Sequence, residues 1–118
     1  MQRIRALVIG INKYEHYQSL NNAVHDAQIV KEMLEGAGVE VYFVPNANIQ
    51  QLNEAVAKYT VSLQKDEVAL VYFAGHGCEY RNAPRLLAKS MGPVSNLRKD
   101  SVNVLAMLDR FDSKKTCG

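Results

Sequence analysis

The sequence predicts an α/β fold, an open sheet of parallel strands with helices on its faces, and two observations carry that prediction. Two apolar runs, residues 5–11 (Arg-Ala-Leu-Val-Ile-Gly-Ile) and 68–74 (Val-Ala-Leu-Val-Tyr-Phe-Ala), lack the alternation of a half-exposed strand. They read as strands covered on both faces. Strand and helix patterns also alternate along the chain, and connections of that length force parallel strands with right-handed crossovers.

The first strand, ending near Gly10, leads into the polar Asn12-Lys13-Tyr14. Asn21 or Asn22 is placed to cap a helix whose apolar face is Ala23, Val24, Ala27, Val30, Met33 and Leu34. Gly36 and Gly38 supply its stop. Val39 to Val44 is the next strand, closed by Pro45-Asn46. Asn48 with Gln51 three residues on has the form of a capping box. The helix that follows carries Ile49, Leu52, Val56, Tyr59 and Leu63 on one stripe. After the polar turn Lys65-Asp66-Glu67 comes the central strand, then Gly75-His76-Gly77. Residues 78–99 read as a long loop with a short strand at Arg85 to Ala88, and loops of that length tend to be functional. Asp100 or Ser101 is placed to cap a last helix bearing Val104, Leu105, Leu108 and Phe111.

At 118 residues the chain predicts one domain spanning 1–118, with 47% apolar and 22% charged residues, an ordinary globular composition. No apolar run is long enough to span a bilayer, so no membrane partner is expected. The net charge of +2 hides an asymmetry: residues 81–115 hold eight Lys or Arg against three Asp. These cations are scattered, have few aromatic neighbours and match no binding motif, so they read as a solvated face, and no nucleic acid is expected. Cys78 and Cys117 are too few for a disulfide framework, and His16 and His25 lack metal-ligand spacing. No metal or cofactor is expected, and the setting predicted is reducing and cytoplasmic. Gly10 belongs to no phosphate-binding glycine pattern, so nucleotide binding has no support.

The residues that bear chemistry cluster at Gly75-His76-Gly77. In an open α/β sheet the carboxyl ends of the strands are where ligands collect. A histidine there is placed to act as a general base, beside a backbone N–H free to donate, and two glycines permit a sharp turn.

Three stretches resemble the caspase-type cysteine peptidases, the clan of caspases, metacaspases and paracaspases. They are residues 5–14, similar to the opening strand and its asparagine-tyrosine loop; Leu20-Asn21-Asn22-Ala23-Val24-His25-Asp26-Ala27, similar to the first-helix signature; and Tyr72-Phe73-Ala74-Gly75-His76-Gly77, close to the histidine motif. With Glu79 following, the paracaspase branch looks nearest. The resemblance implies a three-layer sandwich with a mostly parallel sheet. It implies that His76 is the catalytic histidine and that the Gly77 N–H helps hold the oxyanion. It places Asp26 where metacaspases and paracaspases have an acid that grips a basic residue of a peptide substrate, a task suited to a carboxylate and arginine; read from the residues alone, Asp26 is a first-turn acid favoured by the helix dipole.

The departures are specific. No Asp-x-Cys-Arg-like tetrapeptide follows the last helix pattern, and Ala88-Lys89-Ser90 stands where the clan has Pro-x-Asp. Cys117 is the cysteine at a suitable distance from His76, but it follows Lys114-Lys115-Thr116 rather than a buried strand. Cys78 reads as a free thiol. The expectation is a caspase-like domain truncated after its third helix and catalytically incomplete on its own; the alternative is a non-catalytic interaction or dimerisation module. A flavodoxin-like or receiver-like domain shares the element order but calls for an acidic or phosphate-binding cluster that is absent from the sequence. By the same resemblance, strand 68–73 is left at an open edge, which predicts a homodimer through edge pairing or exchange of the C-terminal helix.

Overall fold

The computed structural model describes residues 3–81, 83–91 and 101–117, with Tyr80 and residues 112–117 described by backbone alone. Strand β1 (Ile4–Gly10) lies at the centre of a parallel sheet, between β2 (Glu40–Pro45) and β3 (Val68–Ala74). Its side chains alternate between two apolar layers. Leu7 and Ile9 pack with α2 (Ile49–Ser62) and α3 (Val104–Cys117); Ala6 and Val8 pack with α1 (Ala23–Gly36). Helices therefore cover both faces, as the sequence predicts.

Local chemistry explains each helix. The capping box of α2 forms: Gln51 N–H donates to Asn48 Oδ1 (2.8 Å), and Asn48 N–H donates to Gln51 Oε1 (3.0 Å). Leu52, Val56, Tyr59 and Leu63 make its buried stripe. Helix α1 approaches β1 so closely that a Cβ on Gly10 would stand 2.7 Å from Ala27 Cβ and 2.9 Å from Ala23 O. Met33, expected on its inner face, is 69% exposed, because the closely seated helix meets the sheet through Ala23 and Ala27 instead. Neither Asn21 nor Asn22 caps α1 with its side chain; Asn12, from the loop after β1, accepts from Val24 N–H at 2.7 Å.

Two further expectations are corrected. The stretch after His76 is not a long loop. It forms an antiparallel sheet of β4 (Gly77–Tyr80), β5 (Ala83–Leu87) and β6 (Ser101–Asn103), so the fold has one parallel and one antiparallel sheet rather than a mostly parallel one. Its hairpin turns at Arg81, which adopts φ +51° without a glycine to signal it. Ser101 is a strand residue, and α3 is capped by Asn103 Oδ1, which accepts from Ala106 N–H at 3.0 Å. Asp100 and most of the remaining loop, 92–99, lie outside the described residues. Strand β3 is an edge among the described residues, where the resemblance leaves residues 68–73, with Leu70 39% exposed.

The amino end of the sheet is closed by ions. Arg5 grips the buried Glu67 with Nε to Oε1 and Nη2 to Oε2, both 3.1 Å, and also pairs with Glu40. Glu67 Oε1 accepts from Gln64 N–H at 2.8 Å, and Tyr59 donates to Arg5 O at 2.6 Å. Burial pushes the Tyr59 phenol up to about 12. The Arg5 hydrogen bond holds the Glu67 carboxyl below the ordinary 4.5, against the opposing effect of burial.

Removing one partner of a buried pair leaves the other charge uncompensated. Arg5→Met is therefore expected to cost about 3 kcal/mol in denaturant unfolding. A depressed carboxyl pKa gives stability that is present above the unfolded value and lost as pH falls through the folded one. Stability of the native sequence should thus decline below about pH 4.5, and Glu67→Gln should flatten that acid limb while lowering stability at neutral pH.

Candidate active site

Parallel strands bring their carboxyl ends together, so the loops after β1, β2 and β3 meet at one edge of the sheet. These loops are wired to one another through backbone groups. Asn46, at φ +48°, accepts with Oδ1 from Asn12 N–H (2.9 Å) and Lys13 N–H (3.2 Å), while its own N–H donates to Gly10 O at 2.8 Å. Asn12 O in turn accepts from Leu20 N–H at 2.8 Å. The segment after β5 joins the same assembly. Lys89 N–H donates to Ala47 O (2.8 Å), Glu15 N–H donates to Lys89 O (3.0 Å), and Ile49 N–H donates to Ser90 Oγ (3.1 Å).

His76 sits in this cluster, half-buried, directly after β3. Its backbone N–H donates to Tyr14 Oη at 2.7 Å, and its carbonyl accepts from Leu87 N–H at 3.1 Å. The imidazole lies against the Tyr14 ring with centroids 4.6 Å apart. Its Nε2 is 3.0 Å from Gln18 O. A carbonyl only accepts, so Nε2 carries the proton of the neutral ring and Nδ1 is left as the basic nitrogen. Burial raises the Tyr14 hydroxyl above its ordinary value, against the lowering effect of the His76 amide.

The glycines beside His76 serve proximity rather than turning. Gly75 and Gly77 are not in the left-handed region, but a Cβ on Gly75 would stand 2.7 Å from Tyr14 Oη and 2.8 Å from the Phe73 ring. In the β4–β5 ladder His76 and Leu87 form the bonded position, so Gly77, opposite Leu86, turns its N–H away from β5. Gly77 is exposed, and its amide faces outward beside the imidazole.

The other expected site residues fall elsewhere. Asp26 is exposed in the first turn of α1, at the helix end that Asn12 caps, so it shares the carboxyl end of the sheet with His76. Cys78 is exposed on β4. Cys117 ends α3, and its side chain lies outside the described residues. That helix runs toward the amino end of the sheet: Phe111 meets Tyr59 at 5.1 Å, beside Arg5. Six more residues carry the backbone roughly 9 Å further along the helix at 1.5 Å per residue. A cleft of about 270 Å³ lies at that far end, lined by Arg3, Arg5, Glu40 and Glu67, but its ion pairs are already made among themselves.

Gln18 and Asn46 are contributors that residue patterns do not single out, and Tyr14, part of the asparagine-tyrosine loop, is not tied by them to His76. Tyr14 carries a weak signal, a large aromatic in a polar loop at a strand's carboxyl end. Gln18 acts through its carbonyl, which side-chain identity cannot reveal. Among the described residues no group of three His, Cys, Asp or Glu is placed to hold a metal, and no helix is long and apolar enough to cross a membrane.

A histidine with a fixed tautomer at a strand-end cradle is an arrangement in which a base can activate a nucleophile. The family model of the caspase domain matches residues 3–116, and the chain belongs to that family. Among proteins of curated function, none matches it.

Asn46→Ala is expected to cost about 3–4 kcal/mol, combining two orphaned N–H groups at about 1 kcal/mol each with the left-handed backbone penalty. Asn46→Gly, which removes only the hydrogen bonds, should cost about 1 kcal/mol less. Thermal unfolding of the two variants checks the order.

Proposed function

We propose that residues 1–118 form a single caspase-like domain carrying the histidine half of a cysteine-peptidase site. The observation that carries this reading is the His76 geometry, with Nε2 committed to Gln18 O and Nδ1 left to take a proton. In this reading His76 accepts the proton of a thiol, and the Gly77 N–H receives the oxyanion of the tetrahedral intermediate. Asp26 holds an Arg or Lys of the peptide substrate, the preference expected if the paracaspase branch is nearest. Cys117 follows Lys114-Lys115-Thr116 rather than a buried strand, which supports reading the site as incomplete within these residues, with the nucleophile supplied by another segment or another chain. The exposed free thiol of Cys78 fits a reducing, cytoplasmic setting.

A second role, an interaction module, is favoured by the edge of β3, which is unpaired among the described residues. The bonds Val68 N–H to Arg3 O and Ile11 N–H to Ala74 O place residues 68, 70, 72 and 74 toward β1. Ala69, Val71 and Phe73 therefore present their backbone groups outward, and an unpaired apolar edge recruits a strand. A homodimer through this edge, or through exchange of α3, follows from it.

Two measurements test these readings. Titrating an N-acylated peptidyl-arginine amide into ¹⁵N-labelled protein should shift the Gly77 and Asp26 amides saturably. Asp26→Ala should weaken that binding roughly tenfold or more, as loss of a charge-assisted bond does; absence of shifts, or equal shifts from an aspartyl peptide, overturns the substrate assignment. With a peptidyl-arginine ketone, intact mass should show no His76-dependent adduct; a stoichiometric adduct at Cys117 that His76→Ala abolishes would refute incompleteness. For the edge reading, light scattering should show a dimer whose population rises with concentration, and a monomer throughout rejects it.

A further inference from the structure

We infer that Tyr14 is a positioning residue for His76: its hydroxyl takes the place of a ladder carbonyl for the His76 N–H, and its ring backs the imidazole. The inference rests on the reading of His76 as the site's base. At a bonded position of an antiparallel ladder the two residues normally exchange both hydrogen bonds. At His76 and Leu87 only one is directed that way, from Leu87 N–H to His76 O at 3.1 Å. The His76 N–H instead meets Tyr14 Oη at 2.7 Å. The peptide of His76 is thus tied on one side to the hairpin and on the other to the loop after β1.

The same loop also controls the ring. Tyr14 and Gln18 both belong to it, one packing against the imidazole at 4.6 Å and the other accepting from Nε2 at 3.0 Å. Tyr14 has little room to move. It is 6% exposed, and its hydroxyl presses over Gly75 where any side chain would collide. The phenol hydroxyl therefore sets the backbone from which the imidazole projects, and the phenol ring sets its tilt. Loss of the hydroxyl frees the backbone, weakens the alignment of Nε2 with Gln18 O, and lets the proton redistribute onto Nδ1, the nitrogen that must stay free to act as a base.

The test is long-range ¹H–¹⁵N NMR of the histidine rings near pH 8, above the ordinary histidine value of about 6.5. The native protein should show His76 almost wholly as the Nε2–H tautomer, with the exposed His16 and His25 as internal controls. In Tyr14→Phe, the His76 ring should shift toward a mixture of tautomers, and its amide should exchange roughly tenfold faster, the effect of one lost hydrogen bond. Gly75→Ala, which pushes the phenol away from the other side, should produce the same ring change with the hydroxyl still present. A His76 tautomer unchanged in both folded variants overturns the inference, whatever happens to stability. The readout needs neither substrate nor nucleophile. If peptidyl-arginine leaves Gly77 and Asp26 unmoved while the His76 tautomer follows Tyr14, the peptidase reading fails and the positioning role stands.

Discussion

The structure depends on the enclosure of β1. Ala6, Leu7, Val8 and Ile9 are all 0% exposed, because two strands flank β1 and helices lie over both of its faces. Full burial of such side chains contributes roughly 1.5–3 kcal/mol each for the larger ones. It also leaves no tolerance in register, since a slip of one residue would exchange the Leu7–Ile9 layer with the Ala6–Val8 layer. The two layers are unequal in volume. The small residues face α1, which is why that helix can close onto Gly10, and the large ones face α2 and α3.

Fixing β1 fixes both ends of the sheet, and the two ends are finished by different chemistry. At the amino end charge is neutralised: Arg5, Glu40 and Glu67 satisfy one another, and Tyr59 ties α2 to the start of β1. At the carboxyl end neutral amides and a phenol do the joining, through Asn12, Asn46 and Tyr14. Neutral acceptors hold loop backbones without placing a fixed charge beside His76. The tautomer of the imidazole is thereby set by the Gln18 carbonyl.

The fold class and the helices were legible because they rest on periodicity. The α2 stripe and its capping box, Asn48 with Gln51, are patterns within a few residues, and each appears as the sequence implies. His76 at a strand's carboxyl end was legible for the same reason. What was hidden depends on partners far along the chain. Apolar runs look alike in β1 and β3, although only β1 is flanked on both sides among the described residues. The hairpin after Gly77 was hidden because its turn uses Arg81 at positive φ rather than a glycine. Asn12 caps α1 from ten residues before that helix's own Asn22, and Gly75 is a glycine for the sake of Tyr14, 61 residues earlier. The direction in which α3 carries Cys117 follows from the contact of Phe111 with Tyr59, which no spacing rule contains.

The two edges of the parallel sheet are finished differently, and the contrast bears on how the domain meets other strands. In β2, Asn46 N–H pairs with Gly10 O, so the outward backbone positions are Val41, Phe43 and Pro45. Proline at such a position removes an outward N–H, a recognised protection against unwanted pairing. The outward positions of β3 are Ala69, Val71 and Phe73, all able to donate, with no proline or charge within Val68–Ala74. Among the described residues one edge is blunted and the other is able to pair at each outward position, which suits an additional strand beside β3 better than a three-stranded sheet alone. That edge also ends at His76, so a strand laid along it finishes beside the imidazole. An incoming segment would therefore deliver its terminal residue to the site by the same backbone pairing that satisfies the edge.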